Sequence, residues 1–387
     1  MKISKFVGIC FILFFLTLGI STASDLNDSN ALLQSDYGSF NELQNLIDES
    51  LENSTVNLTK DYFSDNNDFP DGITINKALT INGNNHVIDA DFNSRIFIIY
   101  SSGVVLNNIK FINGKSSSEG GAVRFEAGGE INNCEFVNNA AESGGAVYID
   151  NYGQLNFAKI NNSTFVNNSA NDVGGAIHQF DNCNVYNSNF VNNHAPSAGA
   201  IYQFNNCSVF NSNFIKNSAT SSNGGYGGAI YQYGSNVYGS YFVNNFAFWN
   251  GGAIHQQDSS NVYNSNFVNN SANDCGGAIY QVDSNVYNSK FVNNSASHGG
   301  AIFQEVFQKN DCIVQNCTFE NNHADYGCDD ICNSYNCTKN NESDNITPIE
   351  SDSNQNKINN IEDKNSTGNP LALLVLSLFA ILIRIKN

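Results

Sequence analysis

Basic residues are scarce in this 387-residue chain, which carries a formal net charge of -19. From residue 125 to residue 289, the only lysine or arginine residues are Lys159 and Lys216. Binding to nucleic acid needs a row of basic side chains, because each phosphate is negative. We therefore exclude nucleic acid as a partner. The acidic composition, rich in Asn and Ser, indicates a surface that faces water.

A helical pattern of apolar residues is missing from the middle of the chain, and a repeat takes its place. GGAV, GGAI or AGAI begins at eight positions, in steps of 24, 30, 24, 29, 24, 25 and 23 residues. These positions are Gly120, Gly144, Gly174, Ala198, Gly227, Gly251, Gly276 and Gly299. The pattern F-x-x-N begins at Phe136, Phe165, Phe190, Phe214, Phe242, Phe267, Phe291 and Phe319. Such a period predicts a solenoid, in which each unit extends one core.

Each unit contains short stretches with strand propensity, such as A-I-Y-Q-V, N-V-Y and F-V, separated by Asn, Ser and Gly. Three short strands and three turns fit one coil of about 24 residues. Coils with parallel strands stack roughly 4.8 Å apart, and the crossover rule makes the stack right-handed. The predicted fold class is all-β: a single-stranded right-handed parallel β-helix, a pectin-lyase-like solenoid with an N-terminal cap helix.

The strand after GGA predicts which side chains point inward. In Val123-Arg124-Phe125 the apolar residues belong inside, so Arg124 points outward. In register, an inward row of isoleucines follows from Ile177 to Ile302, and a row of glutamines from Gln179 to Gln304. Stacked amides can hydrogen-bond along such a row. A further Asn row at a bend favours left-handed backbone: Asn108, Asn133, Asn162, Asn187, Asn211, Asn264, Asn288 and Asn316, with Gly239 as the exception.

The segment before the repeats predicts a helix that covers the open end of the solenoid. Ser39-Phe-Asn-Glu42 is a capping box, and Phe40, Leu43, Ile47 and Leu51 follow at helical spacing. We predict a cap helix and lead-in at 25–60. The β-helix then spans 61–337, in coils of 24–25 residues, and ends in a cysteine-rich segment.

Both ends of the chain are hydrophobic. Residues 1–24 combine Lys2 and Lys5 with an apolar run and small residues, which is typical of a secretory signal peptide. A polar stretch at 338–369 has the composition of a disordered tether. The tail at 370–387 is apolar but shorter than the roughly 30 Å of a bilayer core, so it is a short membrane anchor or a sorting tail. We expect a membrane-tethered protein on the extracellular face of the cell envelope.

Nine of the ten cysteines lie outside the predicted signal peptide, and five of these cluster between Cys312 and Cys337. Outside the cell membrane, disulfides are the expected state. Cys183 and Cys207 occupy matching places in successive repeats and are a candidate pair. The spacing of Cys328, Cys332 and Cys337 is a weak zinc signal, and we predict no metal site or cofactor.

The combination of GGA[IV] with F-x-x-N is similar to the repeats of chlamydial polymorphic membrane proteins. The layout of signal, cap helix, ITINKALTINGNNHVID, VVLNNIKFING, repeats and hydrophobic tail resembles the adhesin-like β-helix surface proteins of methanogenic archaea. The resemblance covers about residues 39 to 330. It implies attachment at the cell surface and names no ligand.

Two groups of aromatic residues are candidates for ligand binding. The first is the outward row beside GGA, because flat aromatic rings suit sugars and protein strands: Tyr148, His178, Tyr202, Tyr231, His255 and Tyr280, flanked by Arg124 and Phe303. Its rings alternatively stack on one another and stiffen the coils. The second is the turn Phe246-Ala-Phe248-Trp249, which holds the only tryptophan and follows an insertion ending in Tyr226. This turn is a binding patch or a small core that pins the insertion.

The predicted function is that of a non-catalytic, adhesin-like surface protein that binds glycans or surface proteins of neighbouring cells. Polysaccharide lyases and hydrolases share the fold, so a polysaccharide-active enzyme is the alternative. An inverting hydrolase needs two carboxylates about 6.5–9.5 Å apart. Asp181, Asp258 and Asp283 occupy matching places but suggest no compact group, so we name no catalytic residue. A passive envelope spacer is the third possibility.

Overall fold

The computed structural model describes residues 37–64, 69–150, 157–305 and 312–334. The predicted signal peptide, polar tether and hydrophobic tail lie outside these residues. In the described part, strands pair in parallel with the equivalent strand of the next coil. The chain is a right-handed parallel β-solenoid, which confirms the predicted fold class. The domain boundaries drawn from the sequence stay predictions.

Four sheets run along the solenoid, and we name each after the residue that it turns inward. The 12-stranded Phe sheet consists of Gly38–Ser39, Tyr62–Phe63, Val87–Asp89, Lys110–Ile112, Glu135–Val137, Thr164–Val166, Asn189–Val191, Asn213–Ile215, Tyr241–Val243, Asn266–Val268, Lys290–Val292 and Thr318–Glu320. The 11-stranded Ile sheet consists of Ile73–Ile75, Phe97–Ile99, Val123–Phe125, Val147–Ile149, Ile177–Phe180, Ile201–Phe204, Ile230–Tyr233, Ile254–Gln257, Ile279–Val282, Ile302–Glu305 and Ile331–Asn333.

The Val sheet adds a third strand to the coils, and the shorter Ala sheet adds a fourth strand to eight of the described coils. The 11-stranded Val sheet consists of Thr55–Asn57, Thr80–Asn82, Val104–Asn107, Gly129–Asn132, Ala158–Asn161, Cys183–Tyr186, Ser208–Phe210, Asn236–Tyr238, Asn261–Tyr263, Asn285–Tyr287 and Ile313–Gln315. The 8-stranded Ala sheet consists of Ala140–Ala141, Ser169–Ala170, His194–Ala195, Ser218–Ala219, Phe246–Ala247, Ser271–Ala272, Ser295–Ala296 and His323–Ala324. The Ala sheet corrects the expectation of three strands per coil. Its two-residue strands are too short to show an alternating pattern.

The predicted inward and outward parity holds throughout the repeats. The isoleucines and the glutamines of the Ile sheet point inward, and Gln179, Gln203, Gln232, Gln256 and Gln281 are joined by amide hydrogen bonds of 2.8–3.1 Å. Nine phenylalanines from Phe111 to Phe319 stack through the core, with ring centroids 4.7–5.2 Å apart. The spacing equals the rise between coils, so identical residues meet in every layer.

A second amide ladder is built from the last residue of F-x-x-N, and its burial is not predicted by the sequence pattern. From Asn139 to Asn294, each Asn donates one hydrogen bond of 2.9–3.1 Å to the Asn of the next coil and a second one to a Phe carbonyl of the preceding coil. The last member, Asn322, donates to the Phe291 carbonyl and to the Asp330 carboxylate instead. The ladder members are Asn139, Asn168, Asn193, Asn217, Asn245, Asn270, Asn294 and Asn322. Gly114, at the matching place in the first unit, donates its backbone N–H to Asn139 at 2.8 Å. Both amide protons of each buried Asn are therefore satisfied.

The bends between the Val and Phe sheets adopt the predicted left-handed backbone. The asparagines at these bends have φ between 48° and 55°, and Gly239, which replaces one of them, has φ 57°. Asparagine tolerates this conformation better than most residues, which explains why it recurs there.

The predicted helix is present as α1 (Phe40–Glu49), and Ser39 caps it by accepting a hydrogen bond from the Glu42 N–H at 3.2 Å. Phe40, Leu43 and Ile47 are buried, whereas Leu51 lies beyond the helix and is exposed. The Gln44 amide exchanges two hydrogen bonds with the Thr74 backbone, at 2.8 and 3.0 Å. The helix thus satisfies the free edge of the first strand of the Ile sheet.

Cys183 and Cys207, the candidate disulfide pair, are separate buried thiols in the structure, which corrects that expectation. Each sulfur donates a hydrogen bond of 3.1 Å to a carbonyl of its own coil. In-register residues lie about 4.8 Å apart, which is wider than the roughly 3.8 Å between Cβ atoms of a disulfide. The hydrogen-bonding contact with Cys207, together with burial, raises the pKa of the Cys183 thiol well above its usual value.

The Asn ladder predicts a large loss of stability for Asn245→Asp. Asn245 donates to the Phe214 carbonyl and to Asn270, at 3.0 and 2.9 Å, and a carboxylate would face both acceptors without a proton. We expect the free energy of unfolding to fall by about 3–5 kcal/mol, measured by urea unfolding near neutral pH. The matched control is Asn244→Asp, because Asn244 is the half-exposed neighbour and loses less than about 1 kcal/mol. Equal losses of stability in the two variants would contradict a stabilising role for the Asn ladder.

We predict that the paired glycines leave no space for a Cβ atom, which substitution by alanine tests. A Cβ at Gly228 would clash with the carbonyl oxygens of Gly252 and Phe246 in the next coil. We expect Gly228→Ala to lower the unfolding free energy by about 3 kcal/mol or more, because both neighbours are backbone atoms. In the control Gly234→Ala the nearest atom is 3.7 Å away and φ is 55°, so only backbone strain of about 1–2 kcal/mol applies. Thermal denaturation of both variants measures the difference.

Candidate functional site

The predicted outward row lies in register along the outer face of the Ile sheet, and we call it the aromatic row. Its members pair one to the next from Arg124 through Tyr148, His178, Tyr202, Tyr231, His255 and Tyr280 to Phe303. Successive ring centroids lie 4.7–5.5 Å apart. The Arg124 guanidinium sits 5.7 Å from the Tyr148 ring centre and closes one end of the row.

Much of the aromatic row is covered, although all of it points away from the core. His178, His255 and Tyr280 are 8%, 4% and 8% exposed, whereas Tyr148, Tyr202 and Tyr231 are half-buried. A second set of residues on the same strands covers one flank. We call this set the flanking row: Phe180, Phe204, Tyr233 and Gln257. The buried members therefore offer little surface to a ligand, and their role as ligand contacts stays a prediction.

A third row of rings, which is not among the predicted site residues, follows the outer face of the Val sheet. Its five rings stack almost in parallel, with centroids 4.8–5.1 Å apart. We call it the tyrosine row: Tyr186, Phe210, Tyr238, Tyr263 and Tyr287. The signal was present in the last residue of the recurring N-V-Y. All five side chains are half-buried, so the row stiffens the coils and presents ring edges to solvent.

Two histidines of the aromatic row are held neutral by burial. Desolvation lowers the pKa of His178 to about 3 and that of His255 to about 3. Among the described residues, neither ring nitrogen of His178 has a hydrogen-bond partner. His255 Nε2 accepts a hydrogen bond of 2.9 Å from Gln257, which places the imidazole proton on Nδ1. Three coils separate the two histidines, so they share no ligand.

These histidines predict that mild acid destabilises the solenoid. Their folded pKa values lie below the unfolded value of 6.5, so the unfolded chain binds more protons between pH 6.5 and about pH 3. Stability is fully present above pH 6.5. As the pH falls below that value, the unfolding free energy decreases by up to about 1.4 kcal/mol per pH unit for each histidine.

The double variant His178→Tyr, His255→Tyr tests this pH dependence, because tyrosine already occupies the same row in neighbouring coils. Urea unfolding at about pH 7 and about pH 4.5 should show a smaller acid loss in the variant than in the unchanged protein. The control is His194→Tyr, because His194 is exposed on the Ala sheet. An acid loss that is the same in all three proteins would contradict the assignment.

The turn around Trp249 packs against the insertion that ends in Tyr226, and we call residues 220–226 of this insertion the flap. The Trp249 indole N–H donates to the Ser222 carbonyl at 2.7 Å, and its backbone N–H donates to Gly225 at 2.8 Å. Tyr226 contacts His255, with ring centres 5.1 Å apart. Phe248 and Trp249 nevertheless stay 36% and 38% exposed, and Phe246 is half-buried. The turn thus pins the flap and also presents two aromatic side chains to solvent.

One group of metal-ligating side chains stands out among the described residues. Asp274, Cys275 and His298 place one donor atom each within 4.8 Å of one another. This group lies in the turns before two successive GG pairs, and it is not among the predicted site residues. An open groove of about 390 Å³ elsewhere, lined by Asn108, Lys110 and neighbouring residues, contains none of the predicted contact residues.

Comparison with known protein families supports the resemblance of the repeats. Residues 162–179 and 264–281 each match the Chlamydia polymorphic membrane protein repeat. Both segments run from the asparagine bend through F-x-x-N and GGAI to the glutamine ladder. Such repeats on a β-solenoid fit a surface adhesin-like protein. No curated protein matches the chain, and the resemblance to archaeal proteins remains an interpretation of the sequence.

No helix in the described ranges is long and apolar enough to cross a membrane. The predicted C-terminal anchor falls outside those ranges, so membrane attachment stays an expectation.

Proposed function

We propose that this chain is a non-catalytic, adhesin-like surface protein that binds glycans of neighbouring cells through the tryptophan turn and the flanking row. The observation that carries the proposal is the state of Trp249, which hydrogen bonds fix in place while 38% of it stays exposed. A pre-positioned aromatic ring loses little conformational freedom on binding and suits the apolar face of a sugar. The half-exposed rings of Phe204 and Tyr233, stacked 4.5 Å apart, offer further aromatic surface.

The proposed location is the outer face of the cell envelope. The acidic composition suits a water-facing surface, and the predicted signal peptide and C-terminal segment would export and tether the chain. Repeats similar to those of chlamydial surface proteins agree with this location.

The test uses the purified full chain on a panel of glycans and polysaccharides, with and without calcium. One half of each sample is assayed for bound protein and the other half for new sugar ends. We expect Trp249→Ala to weaken binding about tenfold or more, as removal of a central aromatic contact does. Phe248→Ala keeps the hydrogen bonds between Trp249 and the flap and should cause a smaller loss. The control is Tyr100→Ala, an exposed aromatic on an early coil.

The outcomes separate the alternatives. New sugar ends that accumulate with time would replace the proposal by a polysaccharide-active enzyme. Trp249-dependent binding to intact cells, without binding to any glycan, would identify a surface protein as the partner and overturn the glycan assignment. An absence of binding in every assay would favour a passive spacer and would also overturn the proposal. Equal losses in Trp249→Ala and Tyr100→Ala would remove the site from the tryptophan turn.

A further inference from the structure

The turns that precede two successive GG pairs bring three different donor groups together. Cys275 and His298 occupy equivalent places in adjacent coils and form a parallel bridge. The His298 N–H donates to the Asp274 carbonyl at 2.9 Å, and the Gly276 N–H donates to the His298 carbonyl at 2.9 Å. These backbone bonds fix the positions from which all three side chains depart. A sulfur, an imidazole nitrogen and a carboxylate oxygen then lie within 4.8 Å of one another.

The contact between His298 and Asp274 is too long for a hydrogen bond but suits two ligands of one ion. His298 Nδ1 lies 3.7 Å from Asp274 Oδ1. Two such ligands on a tetrahedral zinc ion are roughly 3.4 Å apart, given bond lengths of about 2.0–2.2 Å. No separation within the group exceeds 4.8 Å, so the side chains need to close by at most about 1 Å to share one ion.

The imidazole nitrogen that faces the carboxylate is otherwise unsatisfied. His298 Nδ1 is buried and has no hydrogen-bond partner among the described residues, although the side chain as a whole is 32% exposed. A buried polar atom without a partner is unfavourable, because it has lost its hydrogen bonds to water. A bound cation would satisfy this atom. The Tyr326 ring lies beside the His298 ring, with ring centres 5.9 Å apart.

We propose that Asp274, Cys275 and His298 form a binding site for a zinc-like divalent transition-metal ion that joins two coils. A mixed set of one sulfur, one nitrogen and one oxygen ligand matches zinc, whereas calcium and magnesium prefer oxygen alone. The three side chains are partly exposed, so a water molecule completes a fourth position. Because the ligands come from adjacent coils, the ion fastens the turn that begins one repeat to the turn that begins the next. The site is independent of the proposed glycan binding.

The test titrates zinc into the full chain after chelator treatment under reducing conditions, and uses cobalt(II) as a spectroscopic probe. We expect saturable binding of one equivalent, a raised melting temperature, and a thiolate-to-cobalt charge-transfer band. Cys275→Ser and His298→Gln should each weaken binding by roughly 100-fold. Cys275→His should retain zinc binding but lose the charge-transfer band, which separates loss of a ligand from loss of folding. The matched controls Cys317→Ser and His194→Gln should bind as the unchanged protein does.

Three results would overturn the site. The first is the absence of saturable binding in the unchanged chain. The second is unchanged affinity in both Cys275→Ser and His298→Gln. The third is binding that survives His298→Gln but is lost in His323→Gln, since His323 lies 3.6 and 3.7 Å from Asp325 and Asp329 and would then be the ligand instead.

Discussion

The buried asparagine ladder is the interaction on which the register of the repeats depends. The side-chain amide of each ladder residue finds its acceptor only when the Asn of the next coil lies in register with it. Asn217, for example, donates to Asn245 at 3.1 Å. A slip of one residue would leave the amide and a Phe carbonyl without partners in the core. The glutamine ladder imposes the same condition on another sheet. The coils therefore stay aligned although the spacing of the GGA motifs varies from 23 to 30 residues.

Fixed alignment confines variation in chain length and chemistry to the turns outside the core. The flap at 220–226 is an insertion of this kind, and it leaves the flanking strands Ser218–Ala219 and Ile230–Tyr233 in register with their neighbours. The rows on the outer faces are constrained by the same spacing, so their rings stack on one another rather than standing apart. A stacked row is rigid but offers mostly ring edges, whereas the Trp249 turn interrupts the pattern and exposes two aromatic side chains.

The sequence predicts which way the side chains point better than it predicts which of them are covered by neighbouring residues. Alternation around Arg124 places every later residue of its row outside, and the structure agrees. It does not show that Phe180 and Tyr226 lie against His178 and His255, because those contacts depend on neighbouring strands and on the flap. The Asn ladder was visible as the end of F-x-x-N, but its burial depends on the short Ala sheet, whose two-residue strands carry no alternation.

One residue in each coil lies immediately before the GG pair, and together these residues form a column along the solenoid. This column shows why no local sequence pattern predicts the metal-ligating group. In successive coils this column holds Tyr226, Asn250, Cys275 and His298, whose carbonyls accept hydrogen bonds from the preceding coil. No two of these residues are near one another along the chain. Once the glycines fix the turn, however, neighbours in the column lie one coil rise apart, roughly 4.8 Å. The same backbone thus accommodates an aromatic contact at Tyr226 and a three-donor group at His298, so the chemistry of this face changes from coil to coil while its geometry does not.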